Sequence, residues 1–429
     1  MTAHAQDSSS NLPAPAHLTT EPVSRIRNVR PWGGPASDIT VEHGRIATIE
    51  PHVANTTGAD GSDAGQSGHV IDGRGRLAIP TFSDVHVHLD STRLGLPFRE
   101  HTGRPGVWGM MLNDRENWRD AEVSIDKRVA ITARMMIERG TTHMRAYGQV
   151  DMDADLERLD AVLAVRDAVS NAARIEVVAW PQAGLLREDG TIALIDRALA
   201  RGANVMGGLD PCAVDRDPAR HLDAVFDLAS KHQVPVDIHL HERGTLGAFT
   251  MELICERTRA AGMQGNVTIA HAFALGTNDD ATVRGLVEQF TDLDIAITTI
   301  APSGLGALPL ATLREAGVRV GLGEDGQRDY WSPYGNADML DRTWQLAFTQ
   351  GYRADHLIED CLEVATLGGR SVRDGRTSRA TQGDASATGN GKGASGADGD
   401  HTAHKSAPRA LRPGDDADLL LLEGDTLVS

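Results

Sequence analysis

Cysteine and lysine are both scarce in this chain. Its 429 residues hold three cysteines, Cys212, Cys255 and Cys361, and no CxxC pair. A disulfide framework is therefore excluded, and a reducing, cytoplasmic setting is expected. The only lysines are Lys127, Lys231, Lys392 and Lys405. Net charge is -18 and no basic patch is visible, which speaks against a nucleic-acid partner. An acidic surface of this kind serves solubility. No apolar run reaches the roughly 18 residues a membrane span needs, so no membrane association is expected. The first twenty residues are polar, with Ser8, Ser9 and Ser10 and scattered proline. They lack a basic start followed by an apolar stretch, so no signal peptide is expected.

What is present is enough for one large domain and a smaller one, with 40% hydrophobic residues to fill a core. Residues 1–21 read as a disordered tail. Residues 22–75 read as short strands around a Gly/Asp/Ser loop at 55–68. From 76 to 372 strand-like runs alternate with helix-period segments. The runs are 76–89, 141–147, 174–180, 203–209, 235–241, 266–272, 294–300 and 319–325, which makes eight. Gly140, Gly202, Gly262 and Gly317 close the helices between them. Eight β-then-α units over this length is the arithmetic of a (β/α)₈ TIM-type barrel. A doubly wound sheet is the rival, but it would want a glycine-rich first turn. Here the first strand runs into His88-Leu89-Asp90-Ser91-Thr92. Residues 373–410 are a low-complexity insertion, and 411–429 supply one more strand.

The polar residues favour the barrel. His86 and His88 lie two apart, so a strand presents both on one face. His239, His241 and Glu242 end the fifth run, His271 ends the sixth and Asp325 the eighth. Barrel chemistry gathers at these C-terminal strand ends. Singly, each has an ordinary reading as a loop hydrogen bond or helix cap. Together they form a set of imidazoles and a carboxylate suited to Zn²⁺ or Fe²⁺. Such an ion brings the pKa of bound water down to about 7.

On these residues the chain resembles the amidohydrolase superfamily, in the branch that contains cytosine deaminase and N-isopropylammelide isopropylaminohydrolase. The resemblance covers about 38–372 and the last strand-like piece. It implies a barrel beside a small β-sandwich built from both ends of the chain. It implies one divalent ion held by His86, His88, His239 and Asp325, with His271 beside the water. It makes Glu242 the proton donor to the ring and His241 an acid/base. Gln182 becomes a reader of the substrate's amide edge, and Trp331 a wall of the pocket. Two-metal relatives bridge their ions with a lysine or, more rarely, a carboxylate ending strand 4. No lysine stands there, and Asp210 matches the mononuclear branch.

The implied activity is hydrolytic deamination of a nitrogen heterocycle, an aminopyrimidine or triazine, releasing ammonia or an amine. A homo-oligomer is compatible with the resemblance. Departures surround the pocket: Arg145-Ala146-Tyr147-Gly148-Gln149 replaces the branch's usual segment, and Glu324, Gly326 and Ser91 differ from its common residues. Small residues at 146 and 326 suggest room for a bulkier ring. Two other readings stay open: a cyclic-amide or N-acyl hydrolase of the same fold, and a non-catalytic scaffold. The family's sandwich continues beyond the strand near 419, so an open sheet edge is also expected.

Overall fold

A computed structural model describes residues 22–54, 68–100, 106–374 and 410–428. The expected tail at 1–21, nearly all of the 55–68 loop and nearly all of the 373–410 insertion lie outside the described residues. The described chain divides into two compact units, residues 22–80 with 410–427, and residues 81–374.

The smaller unit is one five-stranded sheet. Its strands are β1 (Val23–Pro31), β2 (Ser37–Glu42), β3 (Arg45–Pro51), β4 (His69–Pro80) and, from the chain's other end, β14 (Leu419–Leu422), in the order β14-β4-β1-β2-β3. Leu419 to Leu422 pair antiparallel with Pro80 back to Leu77. That pairing, together with the parallel ladder between β4 and β1, keeps residues 76–80 in this unit. The sequence reading had started the barrel at residue 76; the first barrel strand begins at Phe82 instead. Ile26, Val29, Ile39, Ile46, Leu77 and Ile79 form the buried side of the sheet.

The larger unit is the expected barrel. Strands β5 (Phe82–His88), β6 (Thr141–Gln149), β7 (Arg174–Trp180), β8 (Val205–Leu209), β9 (Val236–His239), β10 (Val267–Ala270) and β11 (Ala296–Thr299) pair in parallel, each with the next. The eighth strand is split. Its first part, β12 (Val320–Leu322), pairs with β11; its second, β13 (Asp325–Gly326), pairs with β5 and closes the ring. The closing seam needs a bare backbone. An ideal Cβ on Gly323 would lie 2.4 Å from His86 Cβ and 2.7 Å from the His86 backbone nitrogen. Side chains there are excluded so that strands 8 and 1 can meet.

The helices follow the strands as the periodicity predicted, for example Ile125–Glu138, Pro218–His232 and Gly244–Ala261. Gly140, Gly202, Gly262 and Gly317 all take positive φ at helix ends. One helix, Gly106–Asn117, carried no amphipathic signal, because its buried positions include Asn113 and Asp114. Within the bore, strand alternation puts His143, Arg145 and Tyr147 on one face of β6. All three are buried.

Candidate active site

The strand ends bring together the residues expected to hold a metal. His86 and His88 end β5, His239 ends β9, and Asp325 opens β13. Asp325 Oδ1 lies 3.2 Å from His88 Nε2 and 3.5 Å from His86 Nε2. His239 Nε2 faces His88 Nε2 at 3.2 Å. Candidate ligand atoms of His86, His88 and His239 fall within 4.8 Å of one another, as do those of His86, His271 and Asp325. His271 and Asp325 both turn their backbones left-handed, at φ 64° and 69°. Such non-glycine strain costs on the order of 1 kcal/mol each and clusters at functional sites.

The electrostatics suit a cation. Burial, reinforced by the neighbouring imidazoles, holds His239 and His271 well below the usual histidine range, and burial also lowers His86. Burial opposes protonation of His88 as well, but the Asp325 carboxylate outweighs it and raises that pKa. Burial would raise Asp325, yet hydrogen bonds from His86 and His88 hold it well below the carboxylate range. Neutral imidazoles beside an ionised carboxylate are the forms a metal takes. Several donors are also left idle. Nδ1 of His239 and both nitrogens of His271 are buried without a hydrogen-bond partner. Buried polar atoms are rarely orphaned, and a His271 nitrogen lies within 4.8 Å of candidate ligand atoms of His86 and Asp325. The donor set therefore fits one divalent ion.

A chain of buried partners stands behind the cluster. Tyr147 Oη lies 3.0 Å from His86 Nδ1 and donates to Asp237 Oδ1 at 3.0 Å. Arg145 then donates to Asp237 Oδ2 at 2.8 Å and to Glu176 Oε2 at 2.9 Å. This orders the ring of His86 through its second nitrogen. The sequence reading noted Arg145 to Gln149 only as a departure and missed this role. Asp237 was equally missed, since an aspartate inside an apolar strand carries no spacing signal of its own.

Asp210, at the end of β8, does not join the metal cluster. Its Oδ2 bonds His241 Nδ1 at 2.8 Å and its Oδ1 accepts the His241 amide at 2.7 Å. Burial works against protonation of His241, but Asp210 prevails and raises its pKa.

A cavity opens over these groups, lined by His88, His239, His241 and Asp325, with Gln182, Trp180, Trp331, Ser91 and Asp329 among the others. Gln182 and Trp331 both line this cavity.

Glu242 does not line the cavity. Its Oε1 accepts the backbone amides of Cys212 and Ala213, both at 2.8 Å, and its Oε2 accepts the Thr250 hydroxyl. Burial raises its pKa against those bonds. The expected proton donor is thus engaged by the turn after β8. The expected extra room at 146 and 326 is also absent. Ala146 is fully buried away from the cavity lining. An ideal Cβ on Gly326 would lie 2.2 Å from Asp329 Oδ2, so a carboxylate already fills that space. Asp329 accepts from Ser91 at 3.0 Å and from the amides of Trp331 and Ser332 at 2.8 and 3.1 Å, which anchors the Trp331 loop. Burial pushes its pKa up to about 6.

Comparison with known proteins agrees with this architecture. The sequence profile described as "Amidohydrolase family" matches residues 111–428. An uncharacterized protein of Escherichia coli, YahJ, is 34% identical over 277 residues; the match covers 63% of this chain and 59% of that protein's length. The crystal structure of N-isopropylammelide isopropylaminohydrolase from Burkholderia multivorans superposes with a TM-score of 0.79 at 34% identity, covering 94% of this chain and 92% of that one. A 5-methylcytosine deaminase from Klebsiella pneumoniae, liganded with 5-fluorocytosine, gives a TM-score of 0.69 at 26% identity, covering 82% and 86%. Among the described residues, no helix is long and apolar enough to cross a membrane.

Proposed function

The chain belongs to the amidohydrolase family, hydrolases of carbon–nitrogen bonds other than peptide bonds, and from that premise we propose that it deaminates a nitrogen heterocycle. The substrate is an aminopyrimidine, a triazine or a related ring, and the nitrogen leaves as ammonia or an amine. The observation that carries the reading is the convergence of three imidazoles and one carboxylate beneath a cavity with polar and aromatic walls. The similarity to a triazine-acting and a pyrimidine-acting enzyme supports the substrate class.

His86, His88, His239 and Asp325 would hold one ion, Zn²⁺ or Fe²⁺. When bound, it would acidify water and polarise the ring carbon. The carboxylate that ends strand 4, Asp210, is spent on His241, which favours a single ion over two. Asp325, ionised beside two imidazoles, accepts the proton of the attacking water. His271, kept neutral by burial, orients that water. His241 lines the cavity and is biased toward its protonated form by Asp210, so it delivers a proton to the ring nitrogen; the proton taken up by Asp325 passes to the departing amine, and the hydroxyl proton released as the ring carbonyl forms restores His241. Water thus adds its oxygen to the ring carbon, the carbon–nitrogen bond breaks, and both protons end on nitrogen. Gln182 binds the amide edge of the ring and Trp331 covers its face. Glu242 is assigned to hold the Cys212–Ala213 turn, from which Asp210 and His241 take their places.

Metal analysis coupled to an ammonia-release screen over aminopyrimidines, triazines and pterins tests this. About one equivalent of divalent metal with ammonia from at least one ring is expected. A new carboxylate from a cyclic or acyl amide, with no ammonia from any ring, would replace the reading by the other hydrolase of this fold.

A further inference from the structure

Gln182 is an ambivalent reader: a carboxamide can offer either its oxygen or its nitrogen to a ligand. In this chain something else removes the choice. Helix Gly106–Asn117 follows β5, and its Asp114 is fully buried. Asp114 Oδ2 accepts from Arg158 Nη1 at 3.0 Å and from Gln182 Nε2 at 3.0 Å. Arg158 is itself fully buried and also donates to Asp90 at 3.1 Å. A carboxylate pressed against a guanidinium only accepts, so it can bond only the NH₂ end of Gln182. No described residue donates a hydrogen bond to the Gln182 oxygen, and the residue itself lines the cavity.

We propose that Asp114 is a specificity-determining positioning residue: by fixing the Gln182 amide with its oxygen toward the cavity, it makes the site select rings that present an N–H donor there over rings that present an acceptor nitrogen. Nothing in the chemistry of the reaction requires Asp114, which lies outside the cavity lining. Its effect reaches the substrate only through Gln182. A ring nitrogen set against the Gln182 oxygen would oppose two acceptors and leave both unpaired, at a cost of about tenfold or more in affinity. Asp329 adds a second acceptor on the same cavity wall, with one oxygen taken only by Ser91. The inference rests on the reading of the cavity as a heterocycle site and narrows its substrate class to rings with a donor edge, such as a lactam N–H.

The test uses the zinc-loaded protein and two probes of similar size: isocytosine, which carries a lactam N–H, and 2-aminopyrimidine, which has acceptor nitrogens instead. Binding is measured by calorimetry, so the readout does not depend on turnover. The wild type should favour isocytosine by about tenfold or more. Asp114→Leu removes the oxygen that Arg158 and Gln182 share, so it frees Gln182 to turn, and the preference should shrink to about threefold or less. Adding Gln182→Glu to that variant places an accept-only group in the cavity and should restore the preference. A purely structural role for Asp114 would weaken both probes alike and predict no such rescue. Equal binding of the probes by the wild type, or the reverse preference, overturns the proposal without any variant having to fold. So does an unchanged ratio in Asp114→Leu, or failure of both probes while the ammonia-release screen finds a substrate. If neither probe binds and no ring releases ammonia, the heterocycle reading itself falls.

Discussion

His143 and the histidines of the rim occupy the same barrel yet live by opposite rules. At the rim, His86, His88, His239 and His271 crowd together around one carboxylate and leave nitrogens unpaired. Near the start of β6, His143 is buried with its Nδ1 3.1 Å from the Thr142 hydroxyl, and burial first and then Arg370, Arg373 and Arg174 push its pKa down to about 2. Between the two ends runs the Tyr147–Asp237–Arg145–Glu176 chain, in which each group is partnered. The contrast separates two uses of buried polarity. Unpaired donors that converge await a ligand, whereas paired ones hold the barrel and aim its rim.

Changes at the rim should break this contrast hardest. Asp325→Asn removes the one charge that the imidazoles share, so metal content by elemental analysis should fall and turnover should drop roughly 10³-fold or more. Retained metal and activity would mean the cluster is only a structural knot. Next, His241→Gln should lower kcat by roughly 10²–10³-fold with metal retained, whereas Glu242→Gln should cost less than about tenfold. The reverse order would return the proton-donor role to Glu242.

Below the rim the expected loss moves from activity to stability. Arg145→Met leaves the carboxylates of Asp237 and Glu176 buried without their cation, which should cost about 3–5 kcal/mol, read as a lower Cm in urea. Tyr147→Phe lies between the regions and should act on both. It should weaken metal affinity by about 10–100-fold in a chelator competition, with only a small change in Cm.

The smallest effect is expected at the far end. The unfolded chain takes up a proton at His143 near pH 6.5, while the folded chain refuses it down to about pH 2. Stability from this group is therefore full above pH 6.5 and declines as pH falls below it. Between pH 7 and pH 5 the loss should be about 2 kcal/mol or less. His143→Gln should flatten that part of the stability curve, and an unchanged curve would mean His143 takes up its proton without unfolding.

Much of this was legible from residue order. Eight apolar runs and four terminal glycines sufficed for the barrel, because strands and helix ends leave local marks. His86, His88, His239, His271 and Asp325 were legible because barrel chemistry sits at strand ends. Other features left no such mark. Asp114 lies on a helix whose inner face is polar, so its periodicity is blurred. Asp237 and Arg145 sit inside strands, and only the closed ring reveals that they meet across it. The position of Glu242 after His239 says nothing about which way its carboxylate swings, and three donors from the neighbouring turn and helix engage it. Gly326 suggested an opening for the same reason, until Asp329 was found in the space.

The narrow contact at Gly323 has a practical corollary. Between the strand that carries Asp325 and the strand that carries His86, Gly323 lies against the backbone and Cβ of His86. Saturation libraries aimed at a new substrate would waste their diversity at this position, since any larger residue would wedge the two strands apart and pull two ligands from a common centre. Variation is better spent on the loop around Trp331 and Ser332, where the wall can be reshaped while the hinge between first and last strands stays shut.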